Sequence, residues 1–359
     1  MPSAPIDIPA HRLHNQHISQ QPMNKPADVV AWLGAMQAQD YTGAKWSIGL
    51  RLPKTTDAQI EQAIADKTIV RTWPMRGTLH FVAAADVRWM LALLGQRTIS
   101  NSARRYKELE LDSETLIRTN DLLLKALEGG TQRTRTELLD MLQASGISTA
   151  GQRAAYILQR ASLDGLICQG ATIGNVPLYM ALDESLPPTR PLDTDAALVE
   201  LATRYFLSHG PATVQDLVRW AGITITQART GLEGAKSRLI EEKMDGQSYW
   251  LPHSQEPLDT GSTLYLLPGF DEYMLGYGDR SAALDPQHAD KIVPGGNGVF
   301  KPTIVSEGQV VGTWKREVKK GTALITAEPF TSLTDAETDA FKTAAARLGD
   351  YLEMPVTVR

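Results

Sequence analysis

The chain has 359 residues, 42% hydrophobic and 21% charged, with a formal net charge of −5 and one cysteine, Cys168. That length predicts two to four globular domains, and the composition excludes a disordered or fibrous chain. The lone cysteine excludes an internal disulfide and any multi-cysteine metal site, and no uninterrupted apolar run approaches the ~18–20 residues that span a bilayer.

The N-terminal MPSAPIDIPAHRLHNQH lacks the basic flank and apolar core of a secretory signal, so a soluble, cytoplasmic protein is expected. His11, His14 and His17 are spaced three apart and would share a helical face. No nearby acid or cysteine completes a ligand set, and no metal or cofactor is expected there. A helix is expected over 27–36, followed by AMQAQDY at 35–41. In a helix Gln37 and Gln39 diverge, whereas in an extended segment they point to one side. If both amides serve one site, the helix ends near Met36; the alternative is a pair of solvated glutamines at a helix end. Asp40 would face away from both.

A second helix is expected over 57–66, then a strand-rich TIVRTWPMRGTLHFV. His80 ends MRGTLH within that run, beside Arg76, and reads as a structural or DNA-proximal histidine rather than a catalytic base. Residues 71–107 hold seven Arg and Lys against one acid, Asp86, a local charge of +6 within an acidic chain. Such a field suits phosphate binding, although a solvated basic face would look the same.

Residues 134–144 place leucines and Met141 on one face, with Thr134 or Thr136 as cap and Gly146 as breaker. Residues 150–164 form a second helix, and GLICQGATIGNVPLYMAL reads as two strands joined by a Gly-Asn turn. Helix, turn, helix and hairpin make a winged helix, whose second helix commonly enters the DNA major groove. The pattern returns as a helix at 196–207, a segment that starts with Pro211-Ala212-Thr213 and ends at Gly222, a recognition-type helix over 226–243 and a short wing, MDGQSYWLP. The N-terminal third reads as a degenerate third copy, and three copies argue for a tandem array.

After about residue 259 strand periodicity takes over, interrupted by one helix, TDAETDAFKTAAARLGDYL, with Thr334 or Asp335 as cap and Gly349 as stop. In this region Asp271 is expected to stabilise a turn or pair with Arg280. The Gly-rich 295–298 lacks the Lys-Ser/Thr of a phosphate loop and reads as a turn. The expected architecture is α+β: tandem winged helix-turn-helix modules and a C-terminal β-rich partial barrel. The divisions are 1–120 (first winged-helix region with the glutamine motif), 121–192 (second winged helix), 193–258 (third) and 259–359 (β-rich domain).

The segments WLGAMQAQDYTGAKWSIGLR, RTWPMRGTLHFV, LLPGFDEYMLGYGDR and GQVVGTWKR, in this order across almost the whole chain, resemble the bacterial winged-helix DNA glycosylases of the AlkZ type. The resemblance implies a concave DNA-binding face of tandem winged helices, a β-rich C-terminal domain and excision of alkylated bases, including bases in some interstrand crosslinks. The family's catalytic signature is Gln-x-Gln or Gln-x-Asp, and Gln37-Ala38-Gln39 is its two-amide form. Lys45, Arg76, Thr78, His80, Arg104 and Arg105 are the candidate contacts to double-stranded DNA.

Glutamine does not transfer protons usefully, so it suits a leaving group that departs without an acid. A guanine alkylated at N7 already carries positive charge. Such a substrate needs only a positioned water and support for a cationic sugar, which amide dipoles can supply. Two other classes fit the array: a non-catalytic winged-helix DNA-binding protein such as a transcriptional regulator, and an interaction scaffold. Regulators of that kind dimerise on spaced half-sites. Three modules in one chain suit a monomer, and the basic 71–107 segment argues against a scaffold.

Overall fold

The computed structural model describes residues 6–174, 176–253, 258 and 264–359. In chain order its strands are β1 (Met36–Gln37), β2 (Ile69–Met75), β3 (Thr78–Ala83), β4 (Arg133–Thr134), β5 (Ile167–Ile173), β6 (Val176–Ala181), β7 (Leu239–Met244), β8 (Gln247–Pro252), β9 (Leu264–Leu267), β10 (Thr303–Ser306), β11 (Gln309–Lys319), β12 (Thr322–Pro329) and β13 (Val356–Val358).

Among the described residues, helices followed by a two-stranded hairpin occur three times. Pro26–Leu33, Tyr41–Leu50 and Asp57–Ala65 precede β2–β3; Arg135–Ala144 and Arg153–Leu163 precede β5–β6; Val214–Ala221 and Ile225–Ala235 precede β7–β8. Threonine starts several of these helices. Thr134, Thr213 and Thr224 each accept the N–H of the residue three ahead, whose side chain returns a hydrogen bond to the threonine backbone, so two otherwise unpaired amides are satisfied. The expected Gly-Asn turn begins at Gly174, whose φ of +59° suits glycine, while Asn175 lies outside the described residues.

Two expected boundaries move. The helix anticipated over 226–243 stops at Ala235 and a short 3-10 turn, and its last residues form β7. Leu239 is buried and the strand then alternates in exposure, a half-buried strand pattern within a polar run. The final helix, Asp335–Leu352, is capped by Thr334 but runs through Gly349 to a left-handed Glu353. Gly349 is there for contact: a methyl added to it would lie 2.5 Å from the Val356 side chain.

The first two hairpins share one sheet, ordered β1-β3-β2-β5-β6-β4, joined where Arg71 pairs with Gln169. A second sheet, β13-β12-β11-β10-β9, carries the C-terminal region, and β7–β8 stand alone. The hydrophobic cores connect stretches far apart in sequence. Val30, Leu33, Trp46 and Ile48 pack with Leu266, Ile304, Ile325 and Phe341, which seats the first helices on the C-terminal sheet. Val82 and Met90 pack with Tyr205, Phe206 and Trp220, joining the first hairpin to the third helical unit.

Where these layers meet, Arg51 and Asp271 form a fully buried pair. Arg51 Nη1 and Nη2 donate to the two carboxylate oxygens at 2.9 Å each, while Ser47 Oγ donates to the same carboxylate at 2.6 Å. Of the remaining guanidinium hydrogens, those on Nε and Nη2 reach the Gln16 carbonyl and side-chain oxygens, and Nη1 also donates to the Ser47 carbonyl at 2.8 Å. Asp271 also accepts the Tyr273 N–H at 2.9 Å, so it does stabilise a turn. Its ionic partner is Arg51 and not Arg280, which donates instead to the Met274 carbonyl. Burial pushes the Asp271 carboxyl up, but the Arg51 charge and the converging hydrogen bonds outweigh it and hold the group below the usual range. Replacing Asp271 with Asn leaves a buried guanidinium without its counter-charge, and urea unfolding should show a loss of about 3–5 kcal/mol. An unchanged midpoint would mean that the pair does not hold these layers together.

Candidate active site

The helix before the glutamine motif ends at Leu33, three residues earlier than the sequence suggested. Gly34 turns the chain with φ of +81°, and a side chain there would strain the backbone while meeting the Trp220 ring at 3.4 Å. The motif is therefore extended. Gln37 lies in β1 opposite His80, and Gln37 Nε2 donates to Gln39 Oε1 at 3.0 Å. Gln37 is half-buried and Gln39 exposed.

Three bonds hold the backbone between and beside the amides. Ala38 N–H donates to the Leu79 carbonyl at 2.7 Å, and the Ala38 carbonyl accepts from Arg71 Nε at 2.9 Å. Gln37 N–H donates to Glu272 Oε1 at 3.3 Å. Arg71 also donates to Gln169 Oε1 at 2.9 Å, so the second hairpin helps to position the motif. Asp40 caps the next helix by accepting the Gly43 N–H at 3.0 Å.

Behind the motif lies a buried polar cluster. Glu272 Oε2 accepts from Trp220 Nε1 at 2.8 Å and lies 3.4 Å from His209 Nε2. Burial pushes the Glu272 carboxyl up, but the His209 contact, the nearby Arg76 charge and the Trp220 N–H together bring it below its usual range. Arg76 Nη2 lies 3.2 Å from His80 Nε2, and His80 Nδ1 donates to the Thr78 carbonyl at 2.9 Å. Since Arg76 can only donate, His80 Nε2 is the acceptor and the ring is neutral. Burial first, and the Arg76 charge second, depress the His80 pKa to about 3.

Several expected DNA contacts change role. Lys45 is buried, and its ammonium is occupied by Asp57 at 2.7 Å and Glu61 at 2.6 Å, so it offers nothing to a phosphate. His80 is fully buried and both ring nitrogens are engaged, which removes it as a direct contact. Thr78 is half-buried, with a hydroxyl that has no partner among the described residues. Arg104 and Arg105 are accessible, but both pair with Glu108, one residue beyond the segment whose charge drew notice. Within that segment Arg71 is buried and Arg88 pairs with Asp183. Arg76, Arg97 and Lys107 remain exposed without an ion pair among the described residues.

The three histidines do not form a site. His11 and His14 lie on the helix Ile8–Asn15, while His17 follows it at φ of +57° and stacks on Trp32 at 4.8 Å. Among the described residues no group of three His, Cys, Asp or Glu could hold a metal ion, and no helix is long and apolar enough to cross a membrane. Sequence reasoning passed over Glu272, His209 and Trp220, and took Arg71 only as part of the basic segment. Glu272 stood next to the flagged Asp271, but nothing local marks it as the residue that meets Gln37.

The histidines generate a pH dependence. His17 is depressed to about 4, by burial first and then by the Arg51 charge, alongside His80 at about 3. Below the unfolded value of about 6.5 the unfolded chain binds these protons and the native chain does not, so stability present above that pH is lost as pH falls. Each group contributes a slope of about 1.4 kcal/mol per pH unit. His80→Gln keeps an acceptor for Arg76 and should make the fall in urea midpoint between about pH 6 and 4 shallower by one proton's worth. An identical slope in the variant would mean that His80 titrates normally.

Against this geometry, comparison with known proteins is specific. A family profile, "DNA glycosylase AlkZ-like", matches residues 30–351. The "Interstrand DNA cross-link repair glycosylase" of Streptomyces sahachiroi is 26% identical over 330 residues, covering 85% of this chain and 86% of the relative. The solved structure of Streptomyces sahachiroi DNA glycosylase AlkZ superposes with a TM-score of 0.78 at 21% identity, covering 98% of each chain, and so shows the same fold. With a family match spanning most of its length, the chain belongs to the AlkZ-like DNA glycosylase family.

Proposed function

We propose that this DNA glycosylase releases cationic, N7-alkylguanine-type bases from duplex DNA as a monomer, with Gln37 and Gln39 acting as one unit. The observation that carries this reading is the Gln37–Gln39 side-chain hydrogen bond on a backbone held at three points. That bond uses one Gln37 donor and one Gln39 oxygen. It leaves the Gln37 oxygen free to accept from a water and the Gln39 NH₂ free to donate to the substrate.

In the reaction the C1′–N9 bond breaks and its electron pair moves into the purine, neutralising the charge that alkylation placed there. The sugar becomes cationic, and the water oriented by Gln37 adds to C1′ and loses a proton to solvent. No group in the pair needs to donate or accept that proton fully, which is why two amides suffice for a base that leaves readily. The buried Glu272 carboxylate behind Gln37 adds negative potential where positive charge develops. The named activity of the Streptomyces relative supports extending the substrate range to crosslinked bases, where the same bond joins one strand to the adduct.

Gln37→Ala and Gln39→Ala should each slow single-turnover release of N7-methylguanine by about a hundredfold, corresponding to about 2–4 kcal/mol, with duplex affinity retained. Gln39→Glu keeps the acceptor for Gln37 and should retain partial activity. Wild-type rates in both alanine variants would reduce the motif to a solvated turn.

A further inference from the structure

Three arginines from separate elements converge beside the buried cluster. Arg76 sits in the β2–β3 turn, Arg219 in the helix Val214–Ala221, and Arg280 five residues after the short helix Glu272–Leu275. Arg76 packs beside Gly222, and Arg219 beside Gly278, at ordinary van der Waals distance. A methyl on Gly222 would lie 3.4 Å from Arg76 Cγ, and one on Gly278 would lie 3.4 Å from Arg219 Cδ. Arg219 and Arg280 both line a cavity of about 530 Å³, floored by Leu284 and Ile292, with Arg280 4.9 Å over the Phe300 ring.

The acids nearby act on these guanidiniums only beyond ion-pair distance, Glu272 on Arg76 and Asp216 and Asp279 on Arg280, and their oxygens are engaged elsewhere. Glu272 is bound to Trp220, His209 and the Gln37 N–H. Asp216 accepts from the Thr213 backbone and hydroxyl and from the Gly278 N–H at 2.7 Å. Asp279 accepts the Ser281 N–H, and Asp290 the Gly295 N–H, each at 2.8 Å. Among the described residues none of the three arginines has a carboxylate within ion-pair distance, and Arg219 has no hydrogen bond. Arg76 gives one N–H to His80, and Arg280 gives its Nε to Met274. Arg219 and the unused edge of Arg280 therefore face the cavity, and the Arg219 charge acts on both Arg76 and Arg280. Burial first, and the Arg219 charge next, lower the Arg280 pKa to about 10.

We propose that Arg76, Arg219 and Arg280 bind one phosphodiester of the strand that carries the damaged base, an assignment that rests on the DNA-glycosylase reading. Unpaired guanidinium edges match the non-bridging oxygens of a phosphate, which accept charge-assisted and often bidentate hydrogen bonds. The site is one layer from the amides: Arg76 touches His80, which lies opposite Gln37 in the sheet. A phosphate held there fixes the adjoining nucleotide on the side of the Gln37–Gln39 pair.

The test uses a duplex with a tetrahydrofuran abasic analogue at the lesion position, so that binding is read without cleavage. One methylphosphonate, which removes the charge of a single phosphate, is placed in turn at each position around the analogue. Wild type should lose about tenfold or more in affinity at one position. Arg219→Gln should lose a similar factor on the unmodified duplex and nothing further at that position, with its log K against log salt slope shallower by about 0.9. Arg219→Lys keeps the charge and should restore the slope. Arg219 is exposed, so an unchanged urea midpoint shows that these variants fold. A methylphosphonate effect equal in wild type and Arg219→Gln, a scan without a sensitive position, or an unaltered salt slope overturns the site. Failure to excise N7-methylguanine would instead overturn the catalytic reading alone, because no arm of this test measures excision.

Discussion

The buried Arg51–Asp271 pair is the constraint on which the site's geometry depends. It ties Gln16, the helix Tyr41–Leu50 and the turn before Glu272 at a point with no access to water. Removing two charges from water is costly, and such a pair adds little net stability over an apolar replacement. Its value here is register. Asp271 and Glu272 are adjacent, so anchoring the first on Arg51 places the second under Gln37 and against Trp220. The C-terminal region thus reaches a motif more than 230 residues upstream through one carboxylate.

Seen from that anchor, the site separates its charges from its working surface. Two neutral amides face outward, and the ionised groups that organise them lie beneath: Glu272 on one side and Arg71 on the Ala38 carbonyl. An amide held by such contacts loses little entropy when substrate arrives, which is the condition for a dipole to act strongly on a developing charge. The same arrangement limits the chemistry. On the proposed reading, two amides that do not transfer protons suit bases whose own charge has already weakened the bond.

Much of this was legible in the sequence because it is local. Helical periodicity, threonine caps and glycine turns marked the helix–hairpin units, and the one-residue spacing of Gln37 and Gln39 called for an extended backbone if both amides served one site. The misreadings have a common cause, since each turned on a partner outside the stretch being read. Lys45 read as an exposed cation because Asp57 and Glu61 are brought to it only by helix packing. Arg104 and Arg105 read as free because the charge count stopped just before Glu108. Gly349 read as a helix stop, but the close approach of Val356 is what requires glycine. The strand at Leu239–Met244 was hidden in a polar run where pairing with β8, not apolar content, decides the conformation.

The continuous sheet through β2 and β5 has a mechanical consequence. The first two units are joined by strand pairing and by the Arg71 guanidinium, so the angle between them is set by hydrogen bonds rather than by a hinge. A duplex laid across such a template must do the conforming itself. Elastic cost then falls on the nucleic acid, and it is lowest at steps where stacking is already weak. A bound duplex that spanned both units would then sit most cheaply at steps that bend easily.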